Sequence, residues 1–262
     1  MKKALLVSVG VLLCLTGASA QTHEFKAKLA NSKDKRVVIE MAAADVKIEG
    51  SNTDEIVIQA SAGYEAPPER AKGLKPLYHT SVDNTGIGLA VTNENNGLKI
   101  EKVARKEAKY TIRVPKQVAV LFQETSWQGT SSLVINNMDG DLEIRTNGAN
   151  INLNKVTGPV VANSTNGNIN VVFSSLSQAK PTAISCISGE IDVSLPAATK
   201  SNMKLRSING EMYTDFELGV KNSKDGLSRL GGASNIEGST NGGGVELQLN
   251  SISSNIYIRK QK

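Results

Sequence analysis

Asp139 and Asp141 stand two residues apart in the stretch NNMDGDLE, just after Asn136 and Asn137. Oxygen-bearing side chains at that density could ligate Ca²⁺, and a carboxylate pair could serve as general acid and base on a glycosidic bond. The stretch lacks the full calcium-loop ligand series and its terminal Glu, so a plain turn is the expected structure. His23 and His79 are the only histidines and lie far apart. With His79 near Asp83, a Ser-His-Asp triad is conceivable, but an ordinary exposed loop histidine is the better reading. No nucleophile elbow, phosphate-binding loop or dinucleotide fingerprint occurs. No catalytic residue, metal site or cofactor is therefore expected. Aromatic residues make up 4% of the chain, which leaves Trp127 as the single large stacking platform for a sugar. A cap over the start of the core is the preferred role for it.

Charge adds one local feature. Lys99, Lys102, Arg105, Lys106, Lys109, Arg113 and Lys116 fall close together against only Glu101 and Glu107. Side chains of a strand alternate between its faces, so this run need not form one patch. A solvated surface that resists aggregation is preferred over a polyanion-binding face. The chain opens with Lys2 and Lys3, an apolar run from Ala4 to Leu15, and TGASA, which together read as a signal peptide over residues 1–20 with Gln21 as the mature start. That processing lowers the formal charge from +5 to about +3, too weak a balance to imply nucleic acid. It also removes Cys14 and leaves Cys186 alone, so no intramolecular disulfide is possible and a buried, unreactive thiol is expected. No later run approaches the length of a membrane-spanning helix. The chain is expected in the periplasm, on the cell surface or secreted.

The elements that carry these residues read as strands throughout. Apolar residues alternate, and clusters of Gly, Asn, Ser and Thr interrupt them every eight to twelve positions. In residues 21–125 the strands are expected at EFKAKL, RVVIEM, DVKIEG, EIVIQA, GIGLAVT, LKIEKV and KYTIRVP. A loop at 62–86 breaks the rhythm with Pro67, Pro68 and Pro76. Residues 126–262 repeat more tightly, with turns centred on Gly148, Gly167, Gly189 and Gly210 at separations of 19, 22 and 21 residues. An Asn-Gly turn suits a hairpin, but a meander has no reason to keep side-chain size constant by column. Aligned on the glycines, Ala162, Ile184 and Leu205 share one column, Ser164, Cys186 and Ser207 another, and Ile169, Ile191 and Met212 a third. Coils of a β-solenoid stacked about 4.8 Å apart would produce such ladders. Asn147, Asn166, Asn209 and Asn241 are expected to form a polar corner column, with Gly242 after the last, in the positive-φ region that Asn and Gly tolerate. Ala149 reads as an extra residue that throws Leu142, Ile144 and Ile151 out of phase. A loop near 218–235 is expected to interrupt one coil, and SISSNIYIRKQK to add a last coil whose Arg259, Lys260 and Lys262 charge its exposed edge.

The recurring T-N-G-x-I and S-G-E-I-D-V units, preceded by YTIRVPK and closed by SNIYIRK, resemble a bacterial domain-of-unknown-function family known as "putative adhesin". The likeness covers most of residues 21–262, including VDNTGIGLAV. It implies an exported, single-stranded β-helix-like fold without established catalytic residues. The fold class expected is all-β, a β-solenoid of right-handed path with a less regular first half. The function expected is non-catalytic interaction at the cell envelope, adhesin-like, with envelope glycans or surface proteins as partners and neither nucleic acid nor a membrane span involved. A β-helix polysaccharide-degrading enzyme and a structural envelope protein without soluble ligand are the alternatives.

Overall fold

The computed structural model describes residues 23–29, 35–62, 65, 68–74, 77, 81–94, 97–127, 131–220 and 234–261. Residues 1–20, where a signal peptide is expected, His79, Lys262 and most of the expected loop at 218–235 lie outside them. In the first half the chain forms β1 (His23–Lys28), β2 (Arg36–Met41), β3 (Ala44–Ser51), β4 (Glu55–Ala62), β5 (Leu89–Glu94), β6 (Gly97–Lys102), β7 (Ala108–Pro115) and β8 (Ala119–Glu124). There follow β9 (Ser132–Asn136), β10 (Leu142–Thr146), β11 (Asn150–Val156), β12 (Val160–Ser164), β13 (Ile169–Phe173), β14 (Thr182–Cys186) and β15 (Ile191–Leu195). The chain closes with β16 (Ser201–Ser207), β17 (Met212–Thr214), β18 (Gly219–Val220), β19 (Ser234–Thr240), β20 (Val245–Ser251) and β21 (Ile256–Lys260). A single 3-10 turn, Glu69–Ala71, is the only helical element among the described residues.

These strands make two sheets, and each coil gives one strand to each. One sheet runs β1-β4-β7-β3-β9-β11-β13-β15-β21-β17, and the other β18-β19-β16-β20-β14-β12-β10-β8-β2-β6-β5. Inward side chains of both sheets merge into one hydrophobic core that runs from Val37 to Ile258. Its ladders are continuous: Ile151 pairs with Ile169, Ile169 with Ile191, and Ile191 with Ile256. Each such fully buried side chain contributes roughly 1.5–3 kcal/mol, so the repeat is the source of stability as well as of shape.

The order of the coils differs from the order of the chain at both ends. The β20–β21 coil does not follow β16–β17 but lies between it and β14–β15, with Ile184 paired to Leu249 and Leu249 to Leu205. Likewise β2–β3 lies between β6–β7 and β8–β9. The sequence columns therefore hold the expected residues with one coil too few, because Leu249, Ser251 and Ile256 slot into them. Nor do Arg259 and Lys260 charge a last edge. Their strand is interior, and Arg259 pairs with Asp192 on the neighbouring β15 at 2.9 Å. Antiparallel strands instead finish the eleven-stranded sheet at both ends, β19 on β16 and β18 on β19 at one and β5 on β6 at the other, and the ten-stranded sheet at one, β4 on β7, while β17 ends that sheet in parallel with β21. Turning the chain back on itself blunts an edge that would otherwise template further parallel pairing. The first half is thus part of the same stack, and all seven of its expected strands are present.

Phase is also simpler than the glycine alignment suggests. Leu142 pairs with Val160 and Ile144 with Ala162, in step with Ile151 and Ile169. The residue aligned with Gly167 is Ala149, because a Cβ on Gly167 would meet the Ala149 carbonyl oxygen, and one on Gly189 the Gly167 carbonyl oxygen, closer than 3.0 Å. Gly148 has open space around it and stands one position earlier in the corner.

Candidate functional site

Each coil leaves the eleven-stranded sheet through a short corner, and the last inward side chain before that corner forms a buried column that is polar at most coils. In spatial order it reads Lys102, Met41, Glu124, Thr146, Ser164, Cys186, Ser251 and Ser207. Its chemistry follows from the unsatisfied backbone groups of the corner. Ser164 Oγ accepts from the Gly167 amide at 2.9 Å, Ser207 Oγ from Gly210 at 2.9 Å, and Ser251 Oγ from Ser254 at 3.2 Å. Cys186 fills the same place, 3% exposed, with its Sγ donating to the Gly167 carbonyl at 3.3 Å, and burial pushes the thiol pKa up.

Two charged members of the column serve the neighbouring coil rather than their own. Glu124 Oε2 accepts from the amides of Asn147, Gly148 and Ala149 at 2.7, 3.0 and 3.1 Å, while its Oε1 accepts from Ser131 Oγ. The carboxylate takes the donor that a hydroxyl takes elsewhere, and Thr146 Oγ1, on a residue 5% exposed, is left without a partner. Glu124→Ala should therefore cost about 2–4 kcal/mol, while Thr146→Val should be neutral or stabilising. In the Glu124→Ala background the Thr146 hydroxyl can cap the orphaned corner, so adding Thr146→Val there should become costly; additive denaturation free energies would contradict this.

Lys102, 2% exposed, donates to the carbonyls of Ala42 and Ala43 at 2.8 and 3.3 Å. Burial lowers its pKa from 10.5 to about 8. Between those values the unfolded chain binds more protons than the folded one, so stability should rise with pH across this window and carry the full penalty below it. The swing attributable to this group is up to about 3 kcal/mol, and Lys102→Met should flatten it in urea melts from pH 7.5 to 10.5. An identical pH slope in both proteins would contradict the assignment.

The corner residues singled out from sequence divide into three groups. Gly167, Gly189 and Gly210 occupy one column with Ala149 and Ser254, and none of the three has positive φ; at each of these glycines a Cβ would run into the backbone of an adjacent coil. Asn166 and Asn209 share a column but are separated by Ser188 and Ser253, while Asn147 sits one position away and donates to the Glu124 and Ser126 carbonyls. Asn241 and Gly242 do have positive φ, 50° and 85°, but they turn β19 into β20 in another part of the stack. The expected asparagine column is thus replaced by one beyond the corner: Asn150 Oδ1 accepts from the Asn168 amide and Asn168 Oδ1 from Glu190, each at 3.0 Å. On the strands, Asn154 donates to Asn136 and Asn170 to Asn152, each at 3.0 Å.

The other chemical candidates are dispersed. Asp139 binds Thr157 Oγ1 at 2.7 Å and Asp141 binds Lys180 Nζ at 2.5 Å. Asn136 is engaged in its ladder and Asn137 takes φ 58°. Among the described residues no group of three or more His, Cys, Asp or Glu gathers to hold a metal. The basic run separates over two sheets: Lys99 pairs with Glu40, Lys109 with Asp45, Arg113 with Glu49 and Lys106 with Glu65, while Lys102 is interior. Trp127 caps no core; it is 70% exposed.

What the stack does assemble is a groove of about 770 Å³ along this corner. One wall is the outward column Gln123, Arg145, Asn163, Ser185, Asn250 and Arg206, and the other is the corner column Asn147, Thr165, Ile187, Ile252 and Ile208. Five coil steps at about 4.8 Å make it about 24 Å long. Thr146 and Glu124 also line it. Sequence reasoning singled out Asn147 but missed the other groove residues, because Arg206 and Asn250, neighbours in the groove, are separated by the reordered coil; the Ile187, Ile208 and Ile252 turn positions were the available signal. No described helix is long and apolar enough to cross a membrane.

A stack of parallel coils with two facing sheets, corner-capped by a buried polar column, defines an all-β, solenoid-like protein. Residues 141–259 match the family model described as Toastrack DUF4097. Among solved structures, the chain is similar to a putative cell adhesion protein from Clostridium sporogenes, at 13% identity and a TM-score of 0.44 over 92% of this chain and 100% of the other. It is also similar to a putative adhesin from Bacteroides fragilis, at 12% identity and a TM-score of 0.35 over 93% and 98%. Comparison with curated protein sequences finds no match.

Proposed function

We infer that this chain is an exported, non-catalytic interaction module of the bacterial cell envelope, adhesin-like in that it holds a ligand along the length of its stack. The observation that supports this reading is the corner groove, walled over six coils by side chains while the backbone beneath is already hydrogen-bonded from coil to coil. A surface built from repeated coils presents the same chemistry at a fixed spacing, which suits an extended partner better than a small substrate. Residues 1–20 supply the export signal, the path of the coil is right-handed, and envelope glycans or surface proteins are the partners in this reading.

Cell fractionation with surface protease shaving, combined with binding of the purified protein to envelope preparations, tests it. Export with retention of the protein by envelope material is expected. A cytoplasmic protein, or one that envelope material does not retain, would contradict the reading. Release of new reducing or unsaturated ends from acidic polysaccharides, lost on mutation of Asp139 or Asp141, would instead establish the enzyme.

A further inference from the structure

We propose that the corner groove binds a single strand of an acidic polysaccharide lying along the stack axis. The proposal rests on the interaction-module reading and names the ligand class of that site. Three features of the groove select it. The outward wall offers amide and hydroxyl groups at four of its six coils, Gln123, Asn163, Ser185 and Asn250, each able to donate and accept as a polyhydroxyl ligand requires. The wall also carries Arg145 and Arg206, four coil steps or about 19 Å apart. Arg145 shares its charge with Glu143 at 2.6 Å, and Arg206 has no ion-pair partner among the described residues. Guanidinium groups bind carboxylate bidentately, so two of them at that separation fit a polymer with repeated acidic groups. The facing wall stacks Ile187, Ile252 and Ile208 on three successive coils, with Ile187 and Ile252 more than 40% exposed. That strip matches the C–H faces of sugar rings.

An extended peptide is the competing occupant, and the backbone argues against it. Peptides that bind along sheets draw affinity from main-chain hydrogen bonds at an open edge. Here the corner amides are already committed to the neighbouring coil, Ile187 to the Ser164 carbonyl at 3.1 Å, Ile208 to Ser251 at 3.3 Å and Ile252 to Cys186 at 3.2 Å. Only side chains remain to recognise a ligand. One of those lining the groove, Thr146, is buried and holds an unpartnered hydroxyl.

The test is titration calorimetry of the purified protein with alginate, neutral dextran and polyglutamate. Alginate should bind, and dextran and polyglutamate should bind about tenfold more weakly or not at all, a difference of about 1.4 kcal/mol. R145Q/R206Q should weaken alginate binding about tenfold or more with unchanged melting temperature, while K109Q/R113Q, on the opposite sheet, should leave it unchanged. Absence of alginate binding, equal binding of dextran or polyglutamate, or an equal loss in both double variants would overturn the proposal. Retention by envelope material is measured in parallel. If R145Q/R206Q is retained as well as the parent, the groove proposal falls and the interaction-module reading stands; if the parent is not retained, that reading falls as well.

Discussion

Gly167→Val is expected to lose about 3 kcal/mol or more of folding free energy, enough to threaten a domain of ordinary stability. A Cβ at Gly167 would run into the Ala149 carbonyl oxygen, its carbonyl carbon and the Asn150 nitrogen, all of them backbone of the coil beneath. No rotamer of the new side chain relieves the clash, because the obstacle is Cβ itself. The coils would have to separate, and separation breaks the parallel ladder on both sides of the corner. Gly148→Ala, one position earlier in the neighbouring coil, meets nothing within 4 Å and should stay within about 0.5 kcal/mol of the parent. Urea denaturation of the two variants measures the contrast. Equal stability would show that glycine at this corner answers to something other than the approach of the coil beneath.

Leu249→Ala should be the second large effect, about 2–5 kcal/mol, since the side chain is fully buried and leaves a cavity between two rigid coils. Where the loosening appears matters more than its size. Leu249 lies between Ile184 and Leu205, so faster amide exchange should appear in both Thr182–Cys186 and Ser201–Ser207. A coil appended at the end of the stack would loosen only one neighbour.

Much of this architecture is legible in the sequence because a solenoid repeats one environment at many positions. Ile169, Ile191 and Met212 occupy one column, as their spacing implies, and Ser164, Cys186 and Ser207 another, because the same side-chain volume is required at each coil. The same redundancy hides the order of the coils. Leu249 and Ile256 satisfy those columns as well as Leu205 and Met212 do, so periodicity alone cannot tell an appended coil from an inserted one. Glycine carried a second ambiguity. It marks positive φ and close approach alike, and only coordinates separate Gly242, which has φ 85°, from Gly167, which is hemmed in by backbone.

The site was less legible than the fold. Glu124 reads as the outward or inward end of a strand with equal ease, and its role appears only when three amides of another coil, 23 to 25 residues later, converge on it. The groove likewise sets Asn250 beside Arg206, on coils that are contiguous in space but not in sequence, and places Arg145 on the same wall. Residue types alone directed attention to Asp139, His79 and Trp127. The structure directs it to a ladder of amides, arginines and isoleucines that no short motif announces.

The insertion of the last coil underlies both the core and the groove, and Cys186 offers a direct measure of it. Cys186 pairs with Ser251, and Ser251 with Ser207, so Ser251 is one coil step away and Ser207 two, about 4.8 and about 9.6 Å. Only the first separation lies within the reach of a disulfide. Oxidative refolding of S251C should therefore yield an intramolecular disulfide with Cys186, and S207C should remain a dithiol. A disulfide in S207C and none in S251C would place β16 directly on β14 and contradict the interleaved stack.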